Sequence, residues 1–508
     1  MNGSKQIKLG ALISYLAIIF NIVAGLIYTP WMISHIGQDN YGLYTLATSL
    51  ITLFVMDFGM SATVTRFMSK YVALGDIEKA NGFLGLVYKI YIAIDAVIFI
   101  VLIVIYFFIE SIYGNLTASE IETLKQLYIV VGLFSVISFP FTNLNGILVS
   151  YEKFVELKLC DLFHKIFIIV AMVVALLMGY GVLALVLVNA LSGLFTIVLK
   201  IIIINRKTAT KVNFKYKEKG VLKEIFGFSM WTTISGIMER ITFNILPTVI
   251  ASVSLTGSKG VAIFGLAITI EGYIFTLASA VNGMFMPRIA KIISKGEKEK
   301  LLMPLMIKVG RIQLSIVGIM TVGFISLGQS FVTEIWDKAE FAESYLCAIL
   351  LTLPSVFFLP MQIAGTTLSV ENKVNLRAYI LTATALINMM ISFPLIKFYG
   401  ATGASASIFV SYMIRTALMV IVYKKVLLLD MKSFFKETFL KLSPYLFVSL
   451  GVGLLCEAYN PIENAYLRFL VNGIILVMAY FFLMYFKGFN EYEKNLIKGI
   501  LLKVKRRG

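Results

Sequence analysis

The sequence predicts an all-α integral membrane protein of about fourteen transmembrane helices, set out as two pseudo-symmetric six-helix bundles plus two C-terminal helices. Three observations predict it. Of 508 residues, 59% are hydrophobic and only 14% charged, with a mean hydropathy of +0.88, which leaves too little polar surface to enclose a water-soluble core. Apolar runs near the roughly 20 residues needed to cross about 30 Å of hydrocarbon recur from end to end. Stretches about 220 residues apart also read alike, the mark of an internal duplication.

The runs begin close to residues 9, 40, 83, 123, 159 and 182 in the first copy and 223, 258, 303, 340, 376 and 402 in the second. Two more follow, near 436 and 464. They are continuous and do not alternate with period two, so helices are expected over a barrel, since a helix in lipid satisfies its own backbone polar groups. The first run follows Lys5 and Lys8 like a secretion signal, but it is long and no small-residue cleavage pattern closes it before Tyr28 and Pro30. It is read as a retained span. The expected domains are residues 1–220, residues 221–430, and residues 431–508 with two further helices and a basic tail.

The duplication shows in two blocks. Pro140, Leu148, Lys153 and Leu157 are answered by Pro360, Leu368 and Lys373, with Leu376 one place short and Arg377 at the matching position. Gly37, Tyr41, Gly42, Leu43, Tyr44, Leu46 and Ala47 are echoed by Gly257, Val261, Ala262, Ile263, Phe264, Leu266 and Ala267. Six spans per copy bring both copies into the membrane from the same side, related by an axis along the membrane normal.

A net charge of +17 invites a nucleic-acid reading, yet Lys and Arg concentrate in alternate loops, the pattern of a membrane protein. One face carries Lys70 and Lys79, Lys153 and Lys158, Arg206 to Lys223, Lys291 to Lys300, Lys373 and Arg377, and Lys424 to Lys436. Both chain ends belong to that basic face, so both termini are expected to be cytoplasmic and no nucleic acid is expected as a partner. The connection from Asn205 to Lys223 reads as the linker between lobes. The segment from Phe486 has the spacing of an amphipathic interfacial helix, with a plain tail as the alternative.

No catalytic pattern stands out. His35 and His164 are the only histidines, and Cys160, Cys347 and Cys456 are scattered, so neither a metal site nor a disulfide framework is indicated. No glycine loop for nucleotide phosphates appears, so the protein reads as a non-enzyme without cofactor, energised by a gradient or a partner.

Ionisable groups at membrane depth are costly and are functional candidates. These are Asp57, Lys89 and Asp95 in the first copy, and Glu239, Arg240, Glu271 and Arg415 in the second. Asp57 with Lys89, and Arg240 with Glu271, fall at similar depths on consecutive spans and suit ion pairs; such pairs also serve simply to tie helices together. Arg240, Lys89 and Arg415 suit an anionic substrate, because a planar guanidinium engages two phosphate oxygens at once. Asp57, Asp95, Glu239 and Glu271 suit ion coupling or buried pairs, the carboxylates taking up a proton or sodium ion as exposure changes. Span amides such as Asn21, Asn145 and Asn388 read first as bridges between helices.

Pro30, the Gly37 to Gly42 loop, Leu43, Tyr44, then Asp57, Phe58, Gly59, Thr65, Arg66, Gly75, Asp76 and Lys79 together resemble the polysaccharide biosynthesis flippases of bacteria. These sit within the multidrug, oligosaccharidyl-lipid and polysaccharide exporter superfamily. The resemblance implies alternating access between two six-helix bundles in the bacterial cytoplasmic membrane. The implied substrate is an undecaprenyl-linked oligosaccharide for O-antigen, capsule, exopolysaccharide or teichoic acid, with membrane lipids and polysaccharide assembly proteins as partners. An ion-coupled multidrug exporter of the same superfamily is the alternative, and a membrane glycan polymerase or acyltransferase a more distant one.

Overall fold

The computed structural model of the chain describes residues 3–55, 60–216, 221–279 and 285–495, and among these it is helical throughout with no strand. Eleven helical segments are long and apolar enough to cross a membrane. Two of them are double. Gly3–Phe54 turns at Gly37 (φ 79°) into α1 (residues 3–36) and α2 (residues 38–54), and Met60–Ala73 is a separate helix. Val374–Lys425 turns at Gly400 (φ 52°) into α11 (residues 374–399) and α12 (residues 401–425). At both points the left-handed backbone favours glycine.

The remaining spans follow in order. They are α3 (Ile77–Ile112), α4 (Ala118–Ser150), α5 (Phe154–Leu177), α6 (Val182–Lys207), α7 (Val221–Asn244 with Leu246–Val253) and α8 (Gly257–Ser279 with Met286–Ser294). Then come α9 (Lys298–Ile335), α10 (Glu343–Val370), α13 (Met431–Tyr459) and α14 (Ala465–Gly488). With the two double segments split, the eleven give thirteen spans among the described residues, and α7 is a further helix outside those eleven.

The duplication is written into the backbone. Left-handed residues recur about 220 positions apart: Gly37 with Gly257, Gly75 with Gly296, Glu152 with Asn372, and Gly179 with Gly400. The helix breaks recur as well. Pro140 sits in a 3₁₀ turn, Phe139–Phe141, that interrupts α4, and Pro360 sits in Leu359–Met361, which interrupts α10. Proline removes an i→i−4 hydrogen bond, so each span is broken at the same place in each copy.

The chain packs as two compact units, residues 1–265 with 381–407, and residues 266–380 with 408–508. In the first, Phe83, Tyr91, Phe139, Leu43 and Leu46 are fully buried, and the Tyr91 and Phe139 rings meet edge-on at 5.1 Å, pinning α3 to the break in α4. In the second, Ile289, Leu302, Met306, Met361, Leu368 and Phe434 form one buried cluster. Outward-facing Val97, Ile100, Val104, Phe107 and Phe108 on α3 stay exposed, as lipid contact requires.

Two connections are held by specific contacts. The segment after α6 is no free tether: Lys211 N donates to Asn81 Oδ1 (2.8 Å) and Asn213 N to the Asn81 carbonyl (3.1 Å), laying residues 208–216 across α3. Beyond α14, Glu493 is buried against α9. Arg311 donates to both Glu493 carboxylate oxygens (2.6 and 2.9 Å) and to the carbonyls of Glu437 (2.7 Å) and Gly488 (2.7 Å). The apolar positions Leu496 to Leu501 of the expected interfacial helix lie outside the described residues.

Candidate functional site

The polar heart of the first unit is built on α5 and α6. Lys158, Asp161 and Lys165 follow at i, i+3 and i+7 on one face of α5, and Ser192, Thr196 and Lys200 at i, i+4 and i+8 on one face of α6. The two faces meet. Lys200 Nζ donates to Asp161 Oδ1 (3.1 Å) and to Asn145 Oδ1 of α4 (2.9 Å), while Lys158 Nζ reaches Asp161 Oδ2 at 3.3 Å. Lys165 Nζ donates to Asn21 Oδ1 of α1 at 2.8 Å.

His164 completes the cluster. Its Nδ1 lies 3.3 Å from the Ser192 carbonyl and 3.0 Å from Thr196 Oγ1. A carbonyl only accepts, so this contact assigns the proton to Nδ1.

Depth gives the cluster its meaning. Lys165 stands about 16 Å along α5 from Phe154, and Lys200 about 10 Å along α6 from Lys207. Lys158 and Lys200 therefore share one carboxylate, and the hydrogen-bond partner of Lys165 among the described residues is a neutral amide, which leaves three ammonium groups to a single Asp161 in the cluster. Such a charge excess inside a membrane is sustained by water or by an anion. The arrangement is an anion receptor in chemistry.

The residues singled out from sequence are distributed as follows. Arg240, on α7, donates through Nη1 to the Thr52 carbonyl of α2 at 2.8 Å, using one of five N–H groups and joining the two helices. Lys89, on α3, is exposed and has no partner among the described residues. Its expected partner Asp57 lies outside them. Asp95 is half-buried, with Oδ1 shielded from solvent and no hydrogen-bond partner among the described residues. Glu239 is half-buried on α7.

Two candidates belong to the second unit. Glu271 is half-buried on α8, and the Arg415 guanidinium lies over the Tyr412 ring (4.5 Å) and the Phe358 ring (5.6 Å). Arg415 is thus held by aromatic faces, a cation–π arrangement.

At the face opposite the basic loops, the first unit is tied shut. Ser258 Oγ is within hydrogen-bond reach of Asp39 (3.1 Å) and of Glu120, whose other oxygen accepts from Thr117 N (2.8 Å). Asn115 Nδ2 donates to the Ser252 carbonyl (2.8 Å). Backbones touch here. A Cβ on Gly42 would come within 2.0 Å of the Ser258 carbonyl oxygen, so only glycine lets α2 and α8 approach this closely. Asn388 Nδ2 adds a bond to the Thr242 carbonyl (3.3 Å), the bridging role expected of span amides.

A profile of the family described as "Polysaccharide biosynthesis protein" matches residues 7–293, more than half of the chain. Among solved structures, the chain resembles the lipid II flippase MurJ in an inward closed conformation, with TM-score 0.71, 16% identity, and coverage of 96% of this chain and 99% of that one. It resembles an inward-facing multidrug resistance MATE family transporter of the MOP superfamily, with TM-score 0.65, 14% identity, and coverage of 82% and 99%. A MOP superfamily transporter from Pyrococcus furiosus, described as having a binding pocket of reverse polarity, matches with TM-score 0.53, 16% identity, and coverage of 82% and 94%. A search of curated proteins gives no match. These structural neighbours are flippases and transporters, not enzymes.

Proposed function

Because this chain belongs to the polysaccharide biosynthesis protein family and has a flippase and transporter fold, we propose that it translocates a polyprenyl-linked, phosphate-bearing oligosaccharide. In this reading the lipid is undecaprenyl, and the glycan serves O-antigen, capsule, exopolysaccharide or teichoic acid assembly in the bacterial cytoplasmic membrane. The basic face and both termini are cytoplasmic.

One observation carries the reading: Lys158, Lys165 and Lys200 against a single Asp161 at membrane depth. A phosphate entering from the basic face replaces water around the lysines and supplies the missing negative charge, while its hydrocarbon tail stays in lipid and needs no polar path. Arg240, Lys89 and Arg415 are kept as further candidate substrate contacts, each for its cationic side chain. An exporter of cationic drugs requires an excess of acid, and the cluster has the opposite sign.

Alternating access follows from the tied face. In this reading Ser258, Glu120 and Asp39 close the side opposite the basic loops, and the site exchanges with the cytoplasmic side first; the two similar structures are named inward closed and inward-facing. Release requires those contacts to part, and the matched breaks at Pro140 and Pro360 supply bending points. Asp95, with its unpartnered buried oxygen, is the leading group for carrying a proton or sodium ion. Reconstitution tests the proposal: vesicles loaded with lipid-linked oligosaccharide should move it between leaflets with the wild-type chain and lose that movement with Lys165→Gln/Lys200→Gln. Equal movement by both would end it.

A further inference from the structure

Under the 208–216 segment lies a chamber of about 550 Å³, within the range of small-ligand sites, whose walls come from α3, α4 and α6. Leu84, Ile147 and Ile204 make it apolar, and its polar lining residues are Tyr88 of α3, Asn205 in the last turn of α6, and Thr210 and Lys211 of the segment. The segment is seated by close approach. A Cβ on Gly85 would meet the Asn213 carbonyl oxygen at 1.9 Å, and one on Gly82 would meet the Tyr216 ring at 2.3 Å. Thr210 is only 9% exposed, and its Oγ1 has no hydrogen-bond partner among the described residues. That hydroxyl is closed off from the chamber, so the polar contacts open to an occupant are those of Asn205 and Lys211.

We infer that the chamber binds one anionic phospholipid, with an acyl chain between α3, α4 and α6 and the phosphate held at its mouth by Lys211 and Asn205. Depth selects the occupant. Ile204 lies about 5 Å from the basic end of α6 and Tyr88 about 16 Å along α3, so the chamber runs from the headgroup region into the hydrocarbon. Charge selects the headgroup. Exposed Arg206, Lys211 and Lys215 flank the rim, and each surface cation attracts an anionic lipid by about 1 kcal/mol.

The site is placed to act on transport. Pro140 forms part of its wall, so a bound chain props the break in α4. Leu144 and Ile147 flank Asn145, and Ile201 adjoins Lys200, so the chamber shares helices α4 and α6 with the lysine cluster. The lipid's binding does not depend on what the protein transports.

Native mass spectrometry of the delipidated full-length protein tests this, with phosphatidylglycerol and phosphatidylcholine of identical chains as probes. We expect one phosphatidylglycerol per chain, bound about tenfold more tightly than phosphatidylcholine, with Asn205→Leu and Lys211→Glu each weakening it about tenfold. Ile147→Trp, filling the chamber, should remove the bound lipid; should that variant fail to fold, the two rim variants decide alone. Equal retention of the two lipids, wild-type affinity in both rim variants, or displacement by millimolar inorganic phosphate alone would each overturn the inference.

Discussion

Lys165 Nζ donates to Asn21 Oδ1 at 2.8 Å, an ammonium group deep in a membrane helix answered by a neutral amide. A purely structural lysine at that depth is paired with a carboxylate or replaced by an apolar residue. Asn21→Leu should therefore destabilise the protein by about 1–3 kcal/mol in detergent unfolding, by orphaning the ammonium. Lys165→Leu combined with Asn21→Leu should regain that stability and still fail to transport. Restored transport in the double variant would make the pair a helix tie and nothing more.

Arg311 offers the opposite case. Its guanidinium, 3% exposed, is satisfied on every side by Glu493 and the carbonyls of Glu437 and Gly488, leaving nothing for a ligand. Arg311→Leu should cost about 3–5 kcal/mol by leaving Glu493 buried and unpaired. Arg311→Leu with Glu493→Leu should recover most of it, and near-normal stability of the single variant would refute the assignment.

Gly42 reports on the tied face. Gly42→Ala forces a Cβ against the Ser258 carbonyl and should part α2 from α8, exposing that face. A cysteine introduced at Asp39 should then react faster with a membrane-impermeant maleimide in the Gly42→Ala background. An unchanged labelling rate would mean that Gly42 does not hold the face closed.

Glu371, in the connection between α10 and α11, is partly buried, which raises its carboxyl. Hydrogen bonds from Lys298 and Lys373 (2.7 Å) outweigh this and hold it below the usual carboxylate range. A lowered folded value means stability that is present above the unfolded carboxyl value of about 4.3 and lost as pH falls through the folded value. Tm should fall as pH drops from about 5 to 3, by an amount worth about 1 kcal/mol, and Glu371→Gln should flatten that part of the curve. An identical acid profile in the variant would count against the bridge.

Asp95→Asn should leave folding intact and remove the dependence of transport on the ion gradient. Gradient-driven flux unchanged in this variant would take Asp95 out of the coupling.

Much of the fold was legible because lipid imposes length and polarity on every span, and the duplication repeated its punctuation. Pro140 and Pro360 proved to be breaks, and Gly37 proved to be a turn, whereas the turn at Gly400 was not singled out from the sequence. The site was less legible. Lys165 and Lys200 sit near the ends of apolar runs, where a lysine reads as a flanking charge. Starting α5 at Phe154, ahead of the apolar run itself, is what carries Lys165 to depth. The available signal was the spacing of Lys158, Asp161 and Lys165, a charged stripe on an otherwise apolar helix. Arg240 was recognised, but its bond to the Thr52 carbonyl joins residues far apart in sequence, and no local pattern announces that.

The most direct measurement is leaflet-resolved movement of a lipid-linked oligosaccharide diphosphate in vesicles holding equal amounts of wild-type protein or Lys165→Gln/Lys200→Gln. The account predicts rapid movement with the first and at least a tenfold loss with the second, both chains being equally folded. Movement at the same rate in both, or none with the wild-type chain for any phosphate-bearing glycolipid, would contradict it.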